Sequence, residues 1–226
     1  MEKSISFSSI EQAVHEAYDM FKDNQDGKNA DYIPYLANVD KNLFGISVCL
    51  LDGRMIEVGD TRYRFGIESV SKVYTAILVL RQYGAEKLLS MIGADATGLP
   101  FNSIIAILLE NDHPSPPLVN AGAITACSKT GRSVFDASFS PQITSLIATV
   151  GFYEHTGDWL YTSGIPAKTG VGGGVMGVLP GIMGISAFAP PIDESGNSVK
   201  AQLAIKHIMN KLGLSVFSGD SVKIIA

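Results

Sequence analysis

Near the start of the chain Ile10, Val14, Ala17, Tyr18 and Phe21 recur at helical spacing, behind Ser8 and Glu11, which stand as in a capping box. The spacing predicts an amphipathic helix over residues 9–23, ended by the polar run DNQDGKN. LFGISVCLL and RMIEVGD, joined at Asp52-Gly53, have the β-former content and turn of a hairpin. SVSKVYTAILVLRQY, residues 69–83, has little charge and no breaker before Gly84, and predicts a buried helix stopped there by a C-terminal cap. Shorter helical stretches follow at 86–92 and 101–109, before the proline-rich DHPSPPLVNAGAI, whose prolines dictate a rigid loop. Residues 127–140 are polar, Ser-rich and without period, and 141–152 read as a short helix. Two β stretches, Gly173 to Leu179 and Ile182 to Phe188, meet at Pro180-Gly181, and a helix from Val199 to Leu212 stops at Gly213. Strand pairs joined by tight turns predict an α+β fold, an antiparallel β-sheet flanked by helices. A doubly wound parallel sheet would need a helix between successive strands.

The chain has 226 residues, 46% of them hydrophobic, enough to bury a substantial core in one domain. A formal charge of −5 with 17 scattered basic residues excludes a dedicated nucleic-acid binder, which needs clustered Lys and Arg. Cys49 and Cys127 lie far apart with no C-x-x-C, so neither a zinc site nor a disulfide is indicated, and both are expected as buried, reduced thiols. The first residues lack the continuous apolar stretch of a signal peptide, and the apolar run from Gly170 to Pro191 is broken by Gly and Pro. No membrane span and a cytoplasmic address are expected.

Ser69-Val-Ser-Lys72 matches S-x-x-K at a predicted helix start, a spacing that puts both side chains on one face, Cβ atoms about 5–6 Å apart. Lysine can take a serine proton only if its pKa falls from about 10.4 to roughly 7–8, on the order of 4 kcal/mol, which burial must supply. Lys168-Thr169-Gly170 matches the K-T-G that lies beside such a helix in serine acyl-transfer enzymes of the penicillin-recognising type, where the following residue presents a backbone N–H to an oxyanion. Each motif alone also fits a plain structure: a surface lysine near a cap serine, a glycine-rich strand making a bend.

Six segments carry a wider likeness: ADYIPYLANVD, GDTRYRFGIESVSKV, GADATGLPFNS, PLVNAGAI, GDWLYTSGIPAKTGVGGG and PPIDESGNSVK. In this order they resemble the signature segments of the serine-dependent glutaminases of the serine β-lactamase-like superfamily. The resemblance implies the β-lactamase and penicillin-binding-protein type of α+β fold. It further implies hydrolysis of L-glutamine to L-glutamate and ammonia without metal or organic cofactor, and a homo-oligomer. It assigns Ser69 as nucleophile, Lys72 as its base, and Tyr32 as a tyrosine beside that pair. Asn120 becomes a substrate contact, Tyr153 a tyrosine at the reacting amide that relays a proton, and Val171 an oxyanion N–H donor together with Ser69. Taken singly, Tyr32 and Tyr153 also read as core or rim tyrosines and Asn120 as a turn cap.

The likeness breaks at 127–150, where the family's longer helical region would lie; the expectation is a single domain, 1–226, with its helical subdomain largely absent. That region supplies the family with a glutamate, an asparagine and a tyrosine for the substrate. Losing a carboxylate that pairs with the substrate ammonium costs about 2–5 kcal/mol. Uncovered helices should also expose apolar surface and let water raise the pKa of Lys72. Weak or absent activity is therefore expected, and a catalytically inactive glutaminase-like protein with a binding or oligomer-forming role is the alternative. A hydrolase of β-lactams or D-amino-acid peptides would use the same motifs, but its substrates lie outside the cytoplasm. Gly172, Gly174 and Gly177 satisfy G-x-G-x-x-G with Asp193 about 20 residues on, yet a strand rather than a helix is expected after them, against a dinucleotide site.

Overall fold

A computed structural model describes residues 2–103, 105–110, 114–120, 123 and 139–225. Strand β1 (Glu2–Ser6) runs straight into helix α1 (Phe7–Phe21), followed by a single turn, α2 (Pro34–Ala37). The hairpin β2 (Gly45–Leu50) and β3 (Met55–Gly59) leads through a 3-10 turn, Glu68–Val70, into α3 (Ser71–Ile92) and then α4 (Ile105–Leu109). After α5 (Ser140–Val150) and α6 (Thr156–Ser163) come β4 (Ala167–Thr169), β5 (Gly174–Leu179), β6 (Met183–Phe188), α7 (Val199–Leu212) and β7 (Ser221–Ile225).

Strands β2 to β6 form one antiparallel sheet in the order β3-β2-β6-β5-β4, as the two hairpins require. Alternation decides its faces: Ile46, Val48 and Leu50 of β2 point with Ile185 and Ala187 of β6 into a core shared with α1 and α7. Ile10, Ala13, Val14 and Ala17 meet it from α1, and Ala201, Ala204, Ile205 and Ile208 from α7. Each large aliphatic side chain so buried contributes about 1.5–3 kcal/mol. The other face is covered in part by α3 and α5, whose Val73, Ile77, Leu80, Ile143 and Ile147 form a second core that Met176 of β5 touches.

The α+β architecture agrees with the sequence pattern, and several details differ. Helix α1 begins earlier than expected, because Ser6 rather than Ser8 is its cap, accepting from the Ser9 N–H at 3.1 Å. Gly84 (φ 80°, ψ 168°) is non-helical and divides α3 into two helices, in line with the stop expected there and the helical stretch expected after it; the second runs on to Ile92. The 101–109 helix shrinks to Ile105–Leu109. Cys49 is exposed, not buried, since β2 alternation turns Val48 and Leu50 inward and Cys49 to the less covered face. Cys127, and residues 127–138 generally, lie outside the described residues. Strands β1 and β7, paired in parallel from Glu2↔Ser221 to Ser6↔Ile225, had no counterpart in the sequence reading.

Among the described residues there is open space between that less covered face and α3 and α5. There an apolar groove of about 550 Å³ runs past Cys49, Met55, Phe65, Val73, Ile143 and Phe188.

Candidate active site

The 3-10 turn and the first turn of α3 present Ser69 and Lys72 one above the other, since residues three apart nearly eclipse in 3-10 geometry. Ser69 thus stands just before the α-helix rather than within it. The turn is held by Ser71 Oγ donating to the Glu68 carbonyl at 2.6 Å, and Glu68 adopts a left-handed φ of 46°, uncommon for a residue with a side chain.

Lys72 is largely buried, and burial pushes its pKa down to about 8. The water-raised pKa expected from a lost subdomain is therefore not found: with Asn120 and the Phe101 ring beside the amine, its partial burial lowers the pKa. Its Nζ donates to Asn120 Oδ1 at 2.6 Å and lies 5.8 Å from the Phe101 ring centroid. Asn120 is itself fixed by its backbone N–H on the Phe101 carbonyl at 2.9 Å. An unprotonated Lys72 that gives one hydrogen to Asn120 keeps its lone pair for a neighbouring hydroxyl.

Tyr153 begins a 3-10 turn after α5 with φ 53°, the second non-glycine residue with positive φ among those described. It is 9% exposed, and its ring packs on Phe101 with centroids 4.6 Å apart. Burial pushes its phenol up to about 12, with the neighbouring Ser69 hydroxyl working in the other direction. That hydroxyl has no partner in hydrogen-bonding geometry among the described residues, so Ser69 is beside it without a formed bond. Tyr32 sits at the rim, 64% exposed, where partial burial, with the charges of Glu68 and Asp31 behind it, raises its pKa.

Strand β4 ends against this turn. A Cβ on Gly170 would stand 3.2 Å from the Ser69 backbone nitrogen and 2.9 Å from the Ile67 carbonyl oxygen, and one on Gly172 only 2.1 Å from the Gly66 carbonyl oxygen. Glycine alone permits that approach. It brings Val171, 8% exposed, into the turn between β4 and β5. Neither the Ser69 nor the Val171 backbone N–H meets an acceptor among the described residues. Gly174 and Gly177 lie within β5, which pairs with β6, so the glycine pattern has no helix after it and no dinucleotide site.

The structure thus gathers Ser69, Lys72, Asn120, Tyr153 and Val171, and leaves Tyr32 on the rim. Sequence reasoning gave Lys168 no part beyond its motif, although its side chain is fully buried beneath Tyr153. Only the adjacency of K-T-G to the Val171 turn signalled it.

A family model described as Glutaminase matches residues 27–133 and 126–217. A glutaminase of Parabacteroides distasonis and one of Bacteroides fragilis are each 54% identical over 320 aligned residues, covering all of both chains. With 226 residues in this chain, the aligned length exceeds it, and the two family-model stretches meet at 126–133. The solved structure named "Probable glutaminase ybaS" superposes with a TM-score of 0.89 at 32% identity, covering 95% of this chain and 100% of that one.

Proposed function

Because the chain belongs to the glutaminase family, whose enzymes convert L-glutamine to L-glutamate and ammonia, we propose that it does so with Ser69 as nucleophile and Lys72 as base. The observation that carries this reading is the placement of Lys72 one turn from Ser69, its amine held on Asn120 Oδ1 at 2.6 Å and lowered to about 8 by partial burial. Lys72 removes the Ser69 hydroxyl proton as Oγ attacks the side-chain carboxamide carbon. The N–H groups of Ser69 and Val171, brought together by the Gly170 contact, face the developing oxyanion. Tyr153 relays a proton to the departing nitrogen, the C–N bond breaks, and ammonia leaves. Water then attacks the glutamyl ester, its proton passing back through the same groups, and glutamate is released. Asn120 holds Lys72 and borders the substrate; Tyr32 closes the rim.

Two features favour activity over the inactive alternative: the relatives at 54% identity are glutaminases over their full length, and Lys72 keeps its buried environment. A single domain with its shortening at 127–150 agrees with a family model that matches in two stretches. Among the described residues no helix is long and apolar enough to cross a membrane. A cytoplasmic homo-oligomer is the setting proposed, tested by solution mass.

The deciding experiment follows glutamate release from L-glutamine by this chain and by Ser69→Ala. Activity abolished in the variant, at unchanged secondary structure, is the expected result; activity that persists in it defeats the serine mechanism.

A further inference from the structure

Lys168 is 0% exposed, unusual for a lysine, and no step above uses its side chain. Its Nζ donates to the Gly151 carbonyl at 3.1 Å and to the Thr169 carbonyl at 2.8 Å, and stands 4.3 Å from the centroid of the Tyr153 ring. These three contacts belong to separate pieces. Gly151 closes the C-terminal end of α5, Thr169 ends β4, and Tyr153 opens the 3-10 turn between α5 and α6. No carboxylate pairs with the amine among the described residues.

We propose that Lys168 is a positioning residue for the amide hydrolysis, its buried amine clamping the end of α5 to the end of β4 and carrying the Tyr153 ring so that the phenol faces Ser69. This inference rests on the Ser69 reading. Burial, reinforced by the charge of Lys72, pushes Lys168 well below the usual lysine range. Its amine donates to both carbonyls, and among the described residues no carboxylate stands by to favour its charged form. Tyr153 needs such support: its backbone is held at φ 53°, and among the described residues its hydroxyl has no hydrogen-bonded partner to fix it. A ring resting on a rigid amine places the hydroxyl from below and leaves its oxygen free to exchange a proton with Ser69 and the leaving nitrogen.

The test is a double-mutant cycle on L-glutamine hydrolysis with Lys168→Met and Tyr153→Phe, which keeps the ring and removes the hydroxyl. The Gly151 carbonyl keeps the Thr169 backbone N–H at 3.1 Å when the amine is gone, so the fold has a route to survive. Each single variant is expected to lower kcat by at least about tenfold with KM held within about threefold, and the double variant to fall no more than about threefold below Tyr153→Phe. A lysine that only stabilises the fold gives effects that multiply, and that result overturns the proposal, as does a wild-type kcat in Lys168→Met. If circular dichroism shows Lys168→Met unfolded, Lys168→Leu, which likewise has no N–H donor, takes its place in the cycle and is judged on the same two outcomes. Activity surviving in Ser69→Ala would instead remove the serine mechanism, a failure separate from either outcome of the cycle.

Discussion

Asn120 sets what Lys72 can be. A neutral amide oxygen 2.6 Å from Nζ holds the amine without rewarding its positive charge, and burial does the rest in bringing it to about 8. A lysine acting as base works only when unprotonated, so kcat/KM should rise with pH through a midpoint near 8 and stay low below it. Asn120→Asp puts a carboxylate on the amine, favours its charged form, and should move that midpoint upward by at least about one pH unit. Rate profiles of the two proteins between neutral and alkaline pH check this; an unmoved midpoint would mean that the limb belongs to another group. The residue types of this site could be read from S-x-x-K and K-T-G. Which partner Lys72 bonds could not, because Asn120 reaches it only through the fold.

Among the elements, the turns carry the geometry. A Cβ on Gly172 meets the Gly66 carbonyl oxygen at 2.1 Å, and neither backbone can yield without moving Val171 or the Ser69 turn. Gly172→Ala should therefore cost about 1–3 kcal/mol in urea unfolding and depress kcat together with it. Gly84→Ala strains a backbone of positive φ but meets nothing within 4 Å, and it lies well past the catalytic turn. That variant should lose about 1–3 kcal/mol of stability while kcat/KM stays within about twofold of wild type. The contrast shows what the sequence could reveal. Helices α1 and α7 and both hairpins followed from apolar period and turn residues. Gly84 read as a stop because a glycine after an apolar run favours one, and its non-helical φ and ψ do end the first helix of α3; the second resumes directly after it. Helix α6, TGDWLYTS, has no clear apolar stripe, and is anchored by Trp159, buried in a stack on Phe152 with its indole N–H on the Ile165 carbonyl.

For the molecule as a whole, the sheet has one well-packed face and one that α3 and α5 cover in part. Cys49 faces the resulting groove and is exposed, so a thiol reagent should label it in the native protein, and peptide mapping should find that label gone in Cys49→Ser, separately from any at Cys127. A bulky adduct there should also reduce binding of an apolar dye by the groove; dye binding unchanged by labelling would place the dye elsewhere. The antiparallel order of that sheet could be drawn from sequence, since tight turns join the strands of its two hairpins. The β1 and β7 pairing could not, because five-residue strands from opposite ends of the chain carry no local signal of one another.

That pairing gives assembly a direction in time. Strand β1 is made well before its register partner Ser221–Ile225, and Lys3 reaches the carbonyls of Leu212 and Gly213 where α7 ends. Throughout synthesis β1 carries an unpaired edge of the kind that invites other strands, and α1 lacks the α7 face it packs against. Synthesis of β7, more than two hundred residues later, rather than any local event, closes the edge of β1.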